Sequence, residues 1–439
     1  MANGSGRFIP VSWKYRLRCA RLDLTSHTVP AWTAALLLYI AGMFAWVNLS
    51  RAHRILLGAW GPGRATRWLN WRIEESLARV CRQKPLAPPR LRAPTIHHLE
   101  AARHAGIVLK APTLAEGGIV EKGVLMLKYT DRIGIFHECV NMEALLRHYQ
   151  LVLEPSWTGY SNPDLLAYTR YRNDDIVVLS PFQGDHDFLE HLRSNLLPIE
   201  LGAGDWVDPL VFRSLPGETK RFDMVMIARW HSSKRHDLLL RAIREIADPG
   251  FRVALVALRK ERSEREEILM AVASSGLRKQ IEILEDLAPG DVNLVLNQSK
   301  VNVLLSRQEG ANRGLFEGFF AGVPGLAFRN HVGIRMEHFL PETGRLIRPS
   351  ALAAELIHFR EHWHEFNPRP WALSHIAPEI SSCRLNEFLR QQSLRRGEPW
   401  TKDIAVKCNR PGLLYYPDDA IRGSFPSMEN LLDQFPRSQ

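Results

Sequence analysis

Cysteine is scarce in this 439-residue chain and forms no pattern. Its five cysteines (Cys19, Cys81, Cys139, Cys383 and Cys408) are odd in number and widely scattered, without a CxxC pair. That argues against a disulfide framework or a cysteine-based zinc site, and it suits a reducing compartment. Internal repeats and low-complexity tracts are also missing. Charge is absent altogether from Thr28 to Ser50, where TVPAWTAALLLYIAGMFAWVNLS runs for 23 residues. At about 1.5 Å per residue such a run is long enough for a hydrocarbon core of about 30 Å.

Hydrophobic residues make up 45% and charged residues 24%, a globular balance that argues against disorder. The length allows two domains with additional segments. The net charge is +10. No basic helix with interleaved aromatics and no RNA-binding signature accompanies it, so no nucleic-acid partner is expected. Arg7, Lys14, Arg16, Arg18 and Arg21 precede the uncharged run and Arg51, Arg54, Arg64 and Arg67 follow it. Attraction to anionic lipid accounts for that placement. Trp32 and Trp46 near the run's ends suit the membrane interface. The alternative is a buried helix or one lying in the membrane plane. Flanking charge does not decide orientation; a cytoplasmic placement of the rest of the chain is expected from the scarce, unpatterned cysteines, which suit a reducing compartment.

The sequence divides into a basic segment (1–27), a transmembrane or membrane-associated helix (28–50), and an amphipathic Trp-rich region ending in a Pro-rich linker (51–95). A first α/β domain (96–204), a second (205–366) and C-terminal helices with a tail (367–439) follow. In the first domain, strands are expected at 105–111, 131–136, 149–155 and 175–180, with helices at MEALLRHY and DFLEHLRSNL. In the second, FDMVMIA, RVALVAL, QIEILE, VNVLLS and GLAF read as continuous apolar strands. Between the first two, Leu239, Ala242, Ile243 and Ile246 recur at helical spacing. Continuous apolar strands alternating with amphipathic helices predict a parallel sheet covered on both faces, with ligands at its carboxyl edge.

Two segments carry chemistry. VNVLLSRQEGANRGLFEGFFAGVP (301–324) reads as strand, turn and helix, with Glu309 in the turn and Glu317 in the helix's opening turns. Gly310 and Gly314 allow backbone N–H groups close to an anion, and a helix N-terminus favours phosphate. The carboxylates can accept hydrogen bonds from sugar hydroxyls. In IARWHSSKRHD, Arg229 follows a strand and Lys234 comes five residues later. Two cations there suit a diphosphate that gains charge as it departs.

These residues resemble the donor-binding domain of GT-B-fold retaining glycosyltransferases, glycosyltransferase family 4 (group 1), over 206–360. Glu309-GANRGLF-Glu317 matches the family's Glu-x7-Glu motif, and Arg229 with Lys234 matches its Arg/Lys pair. DWVDPLVF is similar to the family's interdomain junction and AGVPGLAF to its next strand. The resemblance implies GT-B architecture, two Rossmann-like domains facing a cleft. It implies that Glu309 holds the transferred sugar and Glu317 the ribose. Arg229 and Lys234 would stabilise the leaving diphosphate in place of a metal, and Asn312, Gly314 and Leu315 would line sugar and phosphates. Glu285 would lie beside the base, and the C-terminal helices would cross back to the first domain.

In the first domain Gly117-Gly118 is similar to the family's glycine loop near the diphosphate. His137 is a candidate near the reacting carbon; Glu154 and Trp157, with Tyr160, are candidates for the acceptor. Ser299-Lys300 stands where the family has Ala-Asp, a surface change. Asp185-His186-Asp187 spells the DxD triplet of a metal-dependent transferase, but it precedes a helix and reads more simply as N-cap carboxylates. The expected function is transfer of a sugar from a UDP- or GDP-linked donor to a glycan, lipid-linked or small acceptor, with anomeric retention and no metal or other cofactor. Alternatives are an inactive membrane-bound scaffold, or an epimerase or phosphorylase on the same fold.

Overall fold

The computed structural model describes residues 13–26, 28–45, 51–52, 54–56, 59, 67–83, 94–115, 118–156, 160, 162–259, 264–310, 312–410 and 412–437. The chain divides into two units: residues 1–26, 209–332 and 336–375 form one, and residues 27–208, 333–335 and 376–439 form the other.

The first unit is built on a six-stranded sheet. Short runs with no polar interruption, such as VALVA, satisfy their backbone only between two other strands and bury both faces. The strands are β8 (Met224–Ile227), β9 (Val253–Ala257), β10 (Ile281–Glu285), β11 (Asn302–Leu304), β12 (Gly325–Phe328) and β13 (Gly344–Ile347). They are ordered β10-β9-β8-β11-β12-β13, every pairing parallel. The order reverses between β8 and β11, so the connections leaving these neighbours diverge and open a crevice at their carboxyl ends. The helix His236–Ile246 turns Leu239, Leu240, Ala242 and Ile243 onto the sheet. The helix Arg313–Phe320 lies close over β11, because Gly318 leaves room where a Cβ would come 2.7 Å from Asn302 Nδ2. The N-terminal helix Trp13–Ser26 also belongs to this unit and buries Tyr15 and Cys19 in its core.

The second unit holds a five-stranded sheet, β1 (Gly106–Lys110), β4 (Gly123–Lys128), β5 (Tyr149–Glu154), β6 (Ile176–Leu179) and β7 (Leu196–Ile199), in that order. Only β1 runs antiparallel. A small ribbon of β2 (Thr113–Ala115) and β3 (Gly118–Glu121) stands apart. The C-terminal segment belongs here: Leu385 and Leu389 of the helix Pro378–Arg395 pack with Ile107, Leu109 and Met126, and a hairpin of β14 (Lys407–Arg410) and β15 (Gly412–Tyr415) follows.

The strand expected at 131–136 is instead part of the helix Thr130–Cys139, which buries Ile133, Phe136 and His137. Its Ile133 and Ile135 mimic strand alternation, but the buried spacing is that of a helix. The strand in this region is β4, whose six residues are all buried.

The uncharged run is helical over Thr28–Phe44, 17 residues, and 46–50 lie outside the described residues. Among the described residues no single helix is long and apolar enough to cross a membrane, although the bent pair Trp13–Leu24 and Val29–Phe44 passes by length and composition together. Ala31 and Ala35 are buried, while Val29, Leu37, Ile40 and Phe44 are exposed.

Candidate active site

Both chemical segments emerge at the reversal point of the six-stranded sheet. β8 ends at Ile227, and the chain continues through exposed Arg229 and buried Trp230 into a 3-10 turn, Ser232–Lys234. β11 ends at Leu304 and leads through Ser306 and Glu309 into the helix Arg313–Phe320. The two strands are hydrogen-bonded neighbours, so segments 70 or more residues apart in sequence meet. Lys234 Nζ donates to Glu309 Oε1 at 2.5 Å and Oε2 at 2.6 Å, and Ser306 Oγ donates to Oε1 at 2.6 Å. The loop carrying Glu309 is pinned by a strand-like exchange: Glu309 N donates to Val332 O at 2.9 Å, and Val332 N to Arg307 O at 2.8 Å.

Asn312 caps the motif helix, accepting from Leu315 N at 2.8 Å. That capping takes up one N–H; those ahead of it in the first turn have no intrahelical partner by helix geometry and give this end a partial positive charge. Asn302 Nδ2 donates to Gly314 O at 2.8 Å, and Gly314 lies against Ile227, which puts the helix start above the end of β8. Gly310 is buried within the loop. Glu317, 3% exposed, takes Arg313 Nε at 2.6 Å one turn away on the same helix.

The structure thus joins Lys234 directly to Glu309 and sets Asn312, Gly314, Leu315 and Glu317 on the helix rising beside them. Arg229 stands at the same edge. Glu285, at the end of β10, has its carboxylate engaged by Arg265 (2.7 Å twice) and Trp230 Nε1 (2.7 Å). Arg265 holds that carboxyl down at about 2.

In the second unit, His137 lies inside the helix Thr130–Cys139 rather than after a strand. It is buried, with Nε2 2.8 Å from the Tyr171 hydroxyl, and burial pushes its imidazole down to about 4. Glu154 ends β5 at 2% exposure, with Lys128 Nζ at 3.2 Å and Lys407 Nζ at 3.4 Å. Tyr160 is buried, donating to Leu179 O at 2.7 Å. Gly118 opens β3; Gly117 and Trp157 lie outside the described residues. The Asp185–Asp187 triplet lies inside the helix Gln183–Leu192 rather than before it: Phe182 is the N-cap, and Asp185 sits in the first turn, where a carboxylate faces the helix's positive end. Among the described residues no group of three or more His, Cys, Asp or Glu side chains is placed to hold a metal ion.

Three residues went unread in the sequence. Ser306 orients Glu309. Arg235, at φ 63°, adopts left-handed backbone immediately after Lys234. His331, 1% exposed, has no hydrogen-bond partner for either ring nitrogen among the described residues; burial and then the Lys234 charge push its imidazole down to about 3. A lone histidine in RNHVG carries no periodic signal, and only the three-dimensional pairing of Val332 with the motif loop brings it near.

Residues 221–362 match the family model described as glycosyl transferases group 1. Sucrose-phosphate synthase from Thermosynechococcus elongatus is similar in structure over 62% of this chain and 74% of its own, at 15% identity and a TM-score of 0.51. The fold is therefore that of the GT-B glycosyltransferases, α/β with parallel sheets. Anabaena HepE in complex with UDP and glucose is similar over 61% of this chain and 78% of its own, at 14% identity and a TM-score of 0.48. No curated protein sequence matches the chain.

Proposed function

We propose that the chain is a retaining glycosyltransferase of the family 4 type, moving a sugar from a UDP- or GDP-linked donor to an acceptor hydroxyl. The observation that carries this reading is the meeting of Lys234 and Glu309 beside a helix N-terminus at the sheet's reversal point. In the step, the bond between the anomeric carbon and the β-phosphate oxygen breaks and its electron pair leaves with the nucleoside diphosphate. The acceptor oxygen bonds to the same face of that carbon, and its proton passes to the departing diphosphate.

Lys234, with Arg229 at the same sheet edge and the helix N-terminus, opposes the negative charge that grows on the leaving group. Fixed charges of this kind act without reorganising at the moment of reaction. Glu309 holds hydroxyls of the transferred sugar and Glu317 the ribose. These groups supply the charge stabilisation that a cation supplies elsewhere, so no metal enters this reading. The acceptor is a glycan or lipid-linked molecule at the membrane, and nucleic acid has no place in it.

The membrane contact we propose is monotopic. It is supported by a helix of 17 residues with one face packed through Ala31 and Ala35 and the other presenting Leu37, Ile40 and Phe44. Trp68 and Trp71 are also exposed, with the Arg72 guanidinium over both rings.

The test is turnover of UDP- and GDP-sugars by Lys234→Ala. Loss of one preorganised charge contact should lower kcat by about 10²–10³-fold. Wild-type turnover in this variant would remove Lys234 from the chemistry. An inactive scaffold would show no acceptor-dependent release of UDP or GDP in the wild type, and an epimerase would convert the donor without such release.

A further inference from the structure

The basic N-terminal segment reads, in sequence, as lipid-facing. The structure puts part of it to another use. We infer that the helix Trp13–Ser26 is a brace for the turn that presents Lys234, so that donor binding depends on a segment more than 200 residues away. This rests on Lys234 being a donor-phosphate ligand.

The turn is clasped on both sides of Lys234. On the downstream side stands Arg235, a bulky residue in left-handed backbone, a conformation that persists only where surroundings over-determine it. Its side chain is 6% exposed, and its guanidinium is shared between Asp237, 3.0 Å from Nε, and Asp23 of the N-terminal helix. Asp23 also takes Arg241 at 3.2 Å. On the upstream side, Glu264 accepts the backbone N–H of Ser232 at 2.5 Å and its hydroxyl at 3.3 Å. Glu264 is in turn met by Arg18 Nε at 3.3 Å, whose other guanidinium nitrogen pairs with Glu267.

Packing gives the helix a fixed seat. Tyr15 and Cys19 are buried in the same cluster as Trp230, Leu239 and Leu240, the residues that flank the turn. Burial pushes the Cys19 thiol up to about 11, so it stays a neutral packing group. The charges are arranged likewise: Asp23 and Asp237 together neutralise the buried Arg235 guanidinium, each also pairing with Arg241, and Arg18 neutralises a carboxylate that is occupied with the turn's backbone. Asp23 and Arg18 touch no ligand atom in this reading; they are positioning residues acting through Arg235 and Glu264.

The experiment uses the full chain with UDP as probe. Titration calorimetry and donor hydrolysis are measured for wild type, Asp23→Asn, Asp23→Glu, Arg18→Gln and Lys234→Ala, with hydrogen exchange at the amides of 230–235. Losing a supporting contact to a binding group costs on the order of ten-fold in affinity. Asp23→Asn and Arg18→Gln should each weaken UDP by about that factor and speed exchange in the turn. Asp23→Glu, which keeps the charge, should recover most of the loss. Asp23 is half-exposed, so Asp23→Asn should leave the melting temperature near wild type. The brace is refuted if Asp23→Asn and Arg18→Gln bind UDP like wild type while Lys234→Ala does not, or if weakened binding in Asp23→Asn is not recovered by Asp23→Glu. Equal UDP affinity in wild type and Lys234→Ala would instead overturn the donor-site assignment, and the brace with it.

Discussion

Glu309→Gln should separate donor binding from sugar transfer, and the direction of its effect on UDP is the less obvious part. The Glu309 carboxylate occupies Lys234, both oxygens lying within 2.6 Å of Nζ. A diphosphate that takes Lys234 must displace this carboxylate and then sit near it. The side chains are 16% and 11% exposed, between the regime of surface pairs and that of sealed ones. A net worth of about 1–3 kcal/mol for the pair follows from that position. Glutamine keeps the acceptor for Ser306 Oγ and the volume, but has no charge to hold Lys234 or repel phosphate. Removing a competition of about 1.4 kcal/mol tightens binding ten-fold. UDP, which has no sugar for Glu309 to hold, should therefore bind Glu309→Gln about ten-fold more tightly than wild type. Sugar transfer should fall by about 10²-fold or more, because the neutral amide no longer stabilises the charge developing at the sugar. Calorimetry with UDP and steady-state transfer on the same preparation read both. Unchanged or weaker UDP binding in Glu309→Gln would refute the idea that the two groups exchange partners when the donor arrives.

Two other outcomes follow from burial. His137, His236 and His331 have imidazoles pushed down to about 4, 4 and 3, in each case first by burial, from an ordinary value of 6.5. The unfolded chain therefore takes up these protons first as the pH falls below 6.5, and stability is lost progressively from there down to the folded values, by up to about 3 kcal/mol for His137 and for His236 and about 5 kcal/mol for His331. Urea unfolding between pH 7 and 4.5 should show this slope, and His331→Phe should flatten it; a flat profile in the wild type contradicts the neutral buried state. For the membrane surface, replacing Leu37, Ile40 and Phe44 together by serine should cost about 4 kcal/mol of partitioning, roughly a thousandfold. Flotation with phosphatidylglycerol vesicles measures it, and equal flotation of variant and wild type would dismiss this face as the contact.

The six-stranded unit was legible because its strands are short, unbroken apolar runs and its helices, such as Leu239 to Ile246, bury a single stripe; β12 falls on the residues that GLAF names. The pairing of Lys234 with Glu309 was readable only through resemblance, since nothing local links residues 75 apart. In the second unit the pattern misled at 131–136, and β7 and β13 carry half-buried positions that dilute their apolar signal. Arg18, which in sequence reads as a lipid-facing charge, and Asp23, which carries no signal there, are misplaced for a different reason. A basic amphipathic segment beside an apolar run has the same composition whether its charges face lipid or another part of the chain, and only the buried Arg235 and Glu264 decide between them.

Two lysine–glutamate assemblies at strand ends show how burial separates chemistry from architecture. Lys234 with Glu309 and Lys128–Glu154–Lys407 use the same groups; in the second, Lys128 and Glu154 end the parallel strands β4 and β5, and Lys407 opens β14. In the second, all three side chains are at most 6% exposed, Asn409 Oδ1 takes both lysines at 3.2 and 3.4 Å, and Lys407 also stacks over the Trp206 ring at 3.8 Å. Opening such a cluster would strand a buried charge at a cost of about 3–5 kcal/mol, more than most ligand contacts return. Burial pulls the Lys407 ammonium down to about 8, which marks how little water reaches it. The pair at Lys234 keeps partial access to solvent and among the described residues has Ser306 as its one further side-chain partner, so its partners can be exchanged at low cost. The same reasoning moves Glu154 from acceptor candidate to cornerstone of the second unit, because an acceptor hydroxyl would have to outcompete two lysines for its carboxylate. Position at a strand end therefore nominates both carboxylates, and the free energy needed to release each favours Glu309 for the role proposed above.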